Sequence, residues 1–262
     1  MDLGLKDKIV VVTAATGGLG LAIATEFAQE GAKVILAGRS PEKIEAAVKA
    51  ISDTTGHTVE GVRADCSSAA QIDALIAGTE HRHGRIDVLI NNSGGPKTAP
   101  FTELSDADWV AAFDAKFLPQ VRAARAVFPG MSKRKSGRII TIIGIHAHTP
   151  HAYAFTAGIV NAALVNLTKT LAEVGAPRDV LVNAIHPGFI DTERLAYVAR
   201  RMADERNITL DAARIAMYAD IPLGRPGTPE DIAAAAVFLA SKRAGFITGA
   251  FFDIDGGMTK TI

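Results

Sequence analysis

The chain has 262 residues, 48% of them hydrophobic, and its 28 basic and 28 acidic side chains cancel to a formal net charge of zero. That length accommodates one large α/β domain, and the charge balance offers no basis for nucleic acid or an anionic membrane as partner. The single cysteine, Cys66, excludes an internal disulfide and any multi-cysteine metal site.

Charged residues Asp2, Lys6, Asp7 and Lys8 lead into a short apolar run at 9–12. That run is too short for a signal-peptide core or a membrane span, so a soluble cytosolic protein is expected. Strands are predicted over 9–12, 34–37, 59–64, 88–91, 138–143, 180–185 and 251–254. Most are near-continuous apolar runs, as a parallel sheet covered on both faces requires. Amphipathic stretches fill the gaps between them. Ser40-Pro41-Glu42 opens the second helix with a cap and a first-turn proline, and Ile44, Val48 and Ile51 follow at helical spacing. Thr228-Pro229-Glu230-Asp231 opens the last helix in the same way. The alternation predicts one doubly wound Rossmann domain over residues 1–262, with no linker or repeat. Residues 194–221 interrupt it with charged helix before Pro222 and are expected to form a mobile cover over a substrate site.

The turn Thr13-Ala14-Ala15-Thr16-Gly17-Gly18-Leu19-Gly20 follows the first strand and opens a helix. Such a turn sets free backbone N–H groups against a pyrophosphate, with Gly18 and Gly20 allowing close approach and tight packing. Gly31 ends that helix. The second strand ends in Gly38-Arg39-Ser40, where an acidic side chain would bind a ribose 2′-hydroxyl. Arg39 instead offers a fork of donors to a 2′-phosphate, which favours NADP over NAD; the plainer reading is a solvated arginine in a turn.

These motifs, in this order, resemble those of the short-chain dehydrogenase/reductase family along nearly the whole chain. Thr13 to Gly20 is similar to the family's glycine turn, with Ala14 in place of its first glycine. Asn91-Asn92-Ser93-Gly94, the run from Pro187 to Thr192, and Asp255-Gly256-Gly257 resemble its later signatures. The resemblance implies a seven-stranded parallel sheet and a homotetramer or dimer. It also implies nucleotide contacts from Thr13, Thr16, Gly18, Leu19, Gly20, Asp65, Cys66, Asn91, Asn161, Pro187, Gly188, Ile190 and Thr192, with Asp65 at the adenine. In the family a tyrosine protonates the nascent alkoxide, a lysine four residues on lowers its pKa, a serine holds the carbonyl and an asparagine completes a relay. Aligned on the run from Asn161 to Lys169 and the strand from Gly137 to Gly144, those positions fall on Ala157, Asn161, Gly144 and Lys116. All four differ from the family pattern.

A positioned general acid contributes roughly 10²- to 10⁴-fold in rate, so replacements are sought by geometry. Lys116, flanked by Phe113, Phe117 and Leu118, is one candidate: partial burial would let its amine act as an acid near neutrality, whereas a snorkelling lysine would keep its head in water. Tyr153 is a second, one helical turn before Ala157 if the long helix begins at Ala152, or else a half-buried tyrosine at the helix start. His146 is a third, in a loop that also carries His148 and His151; loop histidines are more often solvated than catalytic. Their spacing matches no metal pattern, and no metal site is expected. His186 is expected to pack at a strand end, and Ser93 to hydrogen-bond locally. Phe155, Phe189, Met202 and Tyr218 hint at an apolar pocket. The leading function is an NADP-dependent oxidoreductase acting on a small carbonyl or alcohol through an atypical proton relay. A lyase or isomerase that retains the nucleotide, or a catalytically silent nucleotide-binding subunit, are the competing readings.

Overall fold

The computed structural model describes residues 2–152 and 154–260. Seven parallel strands, β1 (Ile9–Val12), β2 (Lys33–Gly38), β3 (Glu60–Arg63), β4 (Val88–Asn91), β5 (Gly137–Ile142), β6 (Val180–Pro187) and β7 (Phe251–Ile254), lie in the order β3-β2-β1-β4-β5-β6-β7. Every pairing between them is parallel. The order reverses between β1 and β4, and a crevice opens there beyond the carboxyl ends of the strands.

Helices α1 (Gly18–Gln29), α2 (Pro41–Thr55), α3 (Ala69–His83), α4 (Asp106–Ala112), α5 (Leu118–Arg134), α6 (Phe155–Gly175), α7 (Glu193–Arg206), α8 (Leu210–Tyr218) and α9 (Pro229–Ala240) join the strands. The strands bury side chains on both faces, which is why their sequences read as apolar runs. Val10, Val12, Leu36, Ile90 and Ile185 pack with Ile23 and Phe27 of α1 and Ile232 and Val237 of α9. Val11, Ile35, Leu89, Ile139 and Val182 pack on the other face with Ile72 and Ile76 of α3 and Val127 and Met131 of α5. The expected caps form: Ser40 accepts from the Lys43 N–H, and Thr228 and Asp231 make a reciprocal capping box.

Some expected boundaries shift. β6 runs two residues beyond 185, because His186 and Pro187 remain in register with Asp253 and Ile254 of β7. α6 begins at Phe155 rather than Ala152, after a turn closed by the Ala154 N–H donating to the His151 carbonyl at 2.9 Å. No side chain caps that end, and Tyr153 itself lies outside the described residues. Between α4 and α5 the chain widens into a π turn, Phe113–Phe117, with the rings of Phe113 and Phe117 edge to face at 5.5 Å. The 194–221 segment is the helix pair α7 and α8, held together by Leu195, Ala199 and Met217.

Candidate active site

The turn before α1 is locked from two sides. The Thr13 hydroxyl donates to the Asn92 carbonyl at 2.6 Å and accepts from the Asn92 N–H at 2.9 Å, tying β1 to β4 at the point where the strand order reverses. The Asn92 side-chain amide donates to the Ala14 carbonyl at 3.1 Å. Ala14 takes φ +49, the left-handed conformation that glycine adopts most freely, and Gly18 takes φ +52. A side chain at Gly20 would strike the Ala14 carbonyl, the Ala15 backbone and Asn92, so that position is restricted to glycine by packing.

The start of α1 carries no side-chain cap and no acidic residue in its first turn, whereas α2, α3, α4, α7, α8 and α9 are each capped by a serine or threonine. A side chain at Gly17 would project into open space. The free N–H groups of this helix end and its dipole therefore face room for an anion. The cradle fits a dinucleotide pyrophosphate by this test.

Arg39 follows β2, is exposed, and has no ion-pair partner among the described residues. Its charge reaches Asp65 and Cys66, and the Cys66 thiol lies against the backbone of Ala14. Arg39, Asp65 and Cys66 thus gather at one end of the turn. Hydrogen bonds from the Ser67 backbone and hydroxyl hold the Asp65 carboxyl below its ordinary range, and burial pushes the Cys66 thiol up. Arg63, the last residue of β3, lies in register with Gly38 beside Arg39. Sequence reasoning missed it; the signal was its place at the end of the neighbouring strand. Thr16 packs its methyl where a side chain at Gly38 would stand.

On the other side of the switch point lies a cavity of about 340 Å³. Leu19, Pro187, Gly188, Ile190 and Thr192 line it, together with Lys116, His146, Ala157 and Asn161. Thr192 caps α7, accepting from the Leu195 N–H at 3.4 Å, and its methyl lies over Gly18. Asn91 does not line the cavity: its amide donates to the Gln120 carbonyl at 2.8 Å and ties β4 to α5. Gln120 donates to Ser93 Oγ at 3.0 Å, the local bond expected of that serine. Phe189 and Met202 reach the cavity; Phe155 instead packs on the Phe101 ring, and Tyr218 joins the contact between α7 and α8.

Lys116 is 8% exposed, carried inward by the π turn, and its Nζ donates to the Ile143 carbonyl. Burial, with the nearby Arg194 charge second, pushes its pKa down to about 7. Asn161 donates weakly to the Gly144 carbonyl at 3.4 Å, and its buried Oδ1 has no partner among the described residues, so it can accept from a ligand hydroxyl. Gly144 takes φ +129 and ψ 149, a region essentially reserved for glycine. His146 lines the cavity with Nδ1 donating to the Thr149 carbonyl at 3.1 Å, and burial lowers its pKa. His151 lines the cavity too, its ring 5.6 Å from that of His146.

His148 turns to β7 instead. The Asp253 Oδ1 atom receives His186 Nδ1 at 3.0 Å and His148 Nε2 at 3.3 Å. The ligand-type atoms of these three residues lie within 4.8 Å of one another, close enough for a metal ion, a grouping that sequence spacing does not disclose. His186 is buried at a strand end as expected and stacks on Phe251; burial lowers its pKa against the Asp253 bond. Lys169 sits over the other ring of that stack, Phe251, with Nζ 5.1 Å from its centroid.

An uncapped glycine turn at the sheet's switch point, opening on a cleft with a titratable floor, defines a dinucleotide-binding α/β protein. The chain belongs to the short-chain dehydrogenase/reductase family: the family model described as enoyl-(acyl carrier protein) reductase matches residues 13–259. It is 31% identical to the 3-oxoacyl-(acyl-carrier-protein) reductase of Aquifex aeolicus over 258 residues, 98% of this chain and 100% of the relative. It is 37% identical to 2-(S)-hydroxypropyl-CoM dehydrogenase 3 of Xanthobacter autotrophicus, covering 99% of each chain. Among solved structures it is similar to the L-sorbose reductase of Gluconobacter frateurii complexed with NADPH and L-sorbose, with a TM-score of 0.94, 32% identity and full coverage of both chains. No helix among the described residues is long and apolar enough to cross a membrane.

Proposed function

We propose that the protein is an NADPH-dependent carbonyl reductase whose proton comes from Lys116 rather than from a tyrosine. The observation that carries this reading is the buried amine of Lys116 on the floor of the same cleft that the glycine turn opens into. A bound NADPH supplies a hydride to the carbonyl carbon. The backbone N–H groups from Gly17 to Gly20 hold its pyrophosphate, with Thr13 fixing the turn and Thr16 and Leu19 beside it. Arg39, with Arg63 alongside, binds the 2′-phosphate, and Asp65 and Cys66 border the adenine. Asn161 accepts from a ribose hydroxyl through Oδ1. Pro187, Gly188, Ile190 and Thr192 close over the nicotinamide, and Asn91 serves by holding β4 to α5.

Lys116 holds its proton at Nζ within reach of the carbonyl oxygen. A pKa of about 7 makes the ammonium a competent acid near neutrality. His146, kept neutral by burial, stands at the cavity wall where it can take a proton onward. Tyr153, two residues before the start of α6 in the sequence, remains a second proposed donor. α7 and α8 cover the cleft and exclude water. The exposed Phe238 on α9 and Phe246 in the segment before β7 support a homo-oligomer.

Fluorescence titration tests the cofactor half. NADPH should bind at least about tenfold more tightly than NADH, since a lost charge-assisted bond costs about 1.5–3 kcal/mol. Arg39→Ala should erase the preference. Equal affinities in the unaltered protein, or an unchanged preference in Arg39→Ala, would remove the NADP assignment.

A further inference from the structure

The cavity wall carries basic side chains without an acid beside them. Among its described lining residues are Lys116, Arg194, His146 and His151, and no aspartate or glutamate. Arg194 enters from the first turn of α7, and its guanidinium lies against Gly95, where any side chain would strike it. Among the described residues it forms no ion pair, unlike Arg201 on the same helix, which pairs with Glu205 at 2.5 Å. Arg194 and Lys116 are close enough that the one charge disfavours the other. Two facing cations without a counter-charge form an incomplete arrangement, and an anion between them would relieve the repulsion.

The cover supplies apolar side chains to the wall, Leu195, Met202 and Met217. A ligand that fits has one planar anionic end and a small apolar body.

We infer that the substrate is a small oxo acid, its carboxylate held by the Arg194 fork and its adjacent carbonyl presented to Lys116. This rests on the reductase reading above and gives it a substrate class. A guanidinium matches a carboxylate in a two-bond fork, which fixes the neighbouring carbonyl in one orientation. In the reaction the carbonyl carbon takes the hydride of NADPH, the π pair moves to oxygen, and oxygen takes the Lys116 proton. The products are the hydroxy acid and NADP⁺, and solvent returns a proton to the amine.

Binding alone carries a signature. Arg194, His146 and His186 are the cationic or ionisable groups described around Lys116, and a bound carboxylate would bring a negative charge to it. It should draw the amine back to its charged form, so that the oxo acid binds with uptake of a proton above the free midpoint of about 7.

Titration calorimetry of the NADP⁺ complex with α-ketoisocaproate tests this without turnover. In buffers of different ionisation enthalpy at about pH 8, proton uptake should be measurable, and Lys116→Met should abolish it. The uncharged amide of the same skeleton should bind at least about tenfold more weakly, the equivalent of one lost charge-assisted bond. Arg194→Met should weaken the acid by a similar factor and leave the amide and NADP⁺ unchanged. Arg194→Lys, which keeps the charge and loses the fork, should fall between. An amide that binds as tightly as the acid would overturn the inference. So would an Arg194→Met variant that loses NADP⁺ affinity while keeping the acid, because the guanidinium would then serve the pyrophosphate. Failure of NADPH itself to bind would instead strike the reductase reading, so the two failures are separable.

Discussion

At the residue scale the two most telling positions are Ala14 and Gly144, and they depart from the family pattern in opposite directions. Ala14 is an L-residue held at φ +49, where the left-handed backbone costs an alanine about 1 kcal/mol relative to glycine. Gly144 has the reverse problem: φ +129 with ψ 149 admits glycine and little else, and a side chain there would also press on the Asn161 amide. Ala14→Gly should therefore stabilise the protein by about 1 kcal/mol, while Gly144→Ser should destabilise it by about 1–3 kcal/mol. Chemical denaturation of the two variants checks both signs. A stabilising Gly144→Ser would mean that the loop can accept the family serine without strain. The glycine at 144 was plain in the sequence, but its backbone angle was not, because dihedrals follow from how β5 hands the chain to the loop. The same holds for Asn91, whose bond to the Gln120 carbonyl spans 29 residues of sequence.

At the element scale the π turn decides the character of the cleft. Nothing in the sequence around 113–117 marks the widened turn, which is visible only in the backbone. It carries Lys116 inside while its aromatic neighbours pack on each other. A buried amine whose folded pKa lies at about 7, below its ordinary 10.5, binds fewer protons than the unfolded chain between those two values. Stability from this group therefore rises with pH through that window, and below it the charged amine is a full burden on the fold. Lys116→Met should stabilise the protein most below pH 7, and the difference should shrink toward alkaline pH. Paired denaturation curves across that range measure it; a pH-independent difference would place the amine in solvent. Strand positions were legible because apolar runs bury on both sheet faces. The start of α6 was not, because its first turn lacks a cap residue to mark it.

At the scale of the whole molecule, strand order, the glycine turn and the covering helices place a dinucleotide cradle and a cationic cavity on the two sides of one switch point. The doubly wound sheet was legible in the alternation of strands and helices, and its strand order was not. Neither was the convergence of Lys116, Arg194 and His146 on one cavity, since they come from three segments far apart in the chain. The His148, His186 and Asp253 triad escaped notice for the same reason. The central claim is that Lys116 supplies the proton for carbonyl reduction. It is tested most directly by the pH dependence of NADPH oxidation in the unaltered protein and in Lys116→Met, with oxo acids and neutral ketones as substrates. An acid with a midpoint of about 7 must be charged to act, so kcat/KM should be highest below that pH and fall above it. For a bound oxo acid the limb in kcat should move to higher pH. Lys116→Met should lose about two to four powers of ten in turnover together with that limb. Near-normal turnover in Lys116→Met, with the limb intact, would contradict the account.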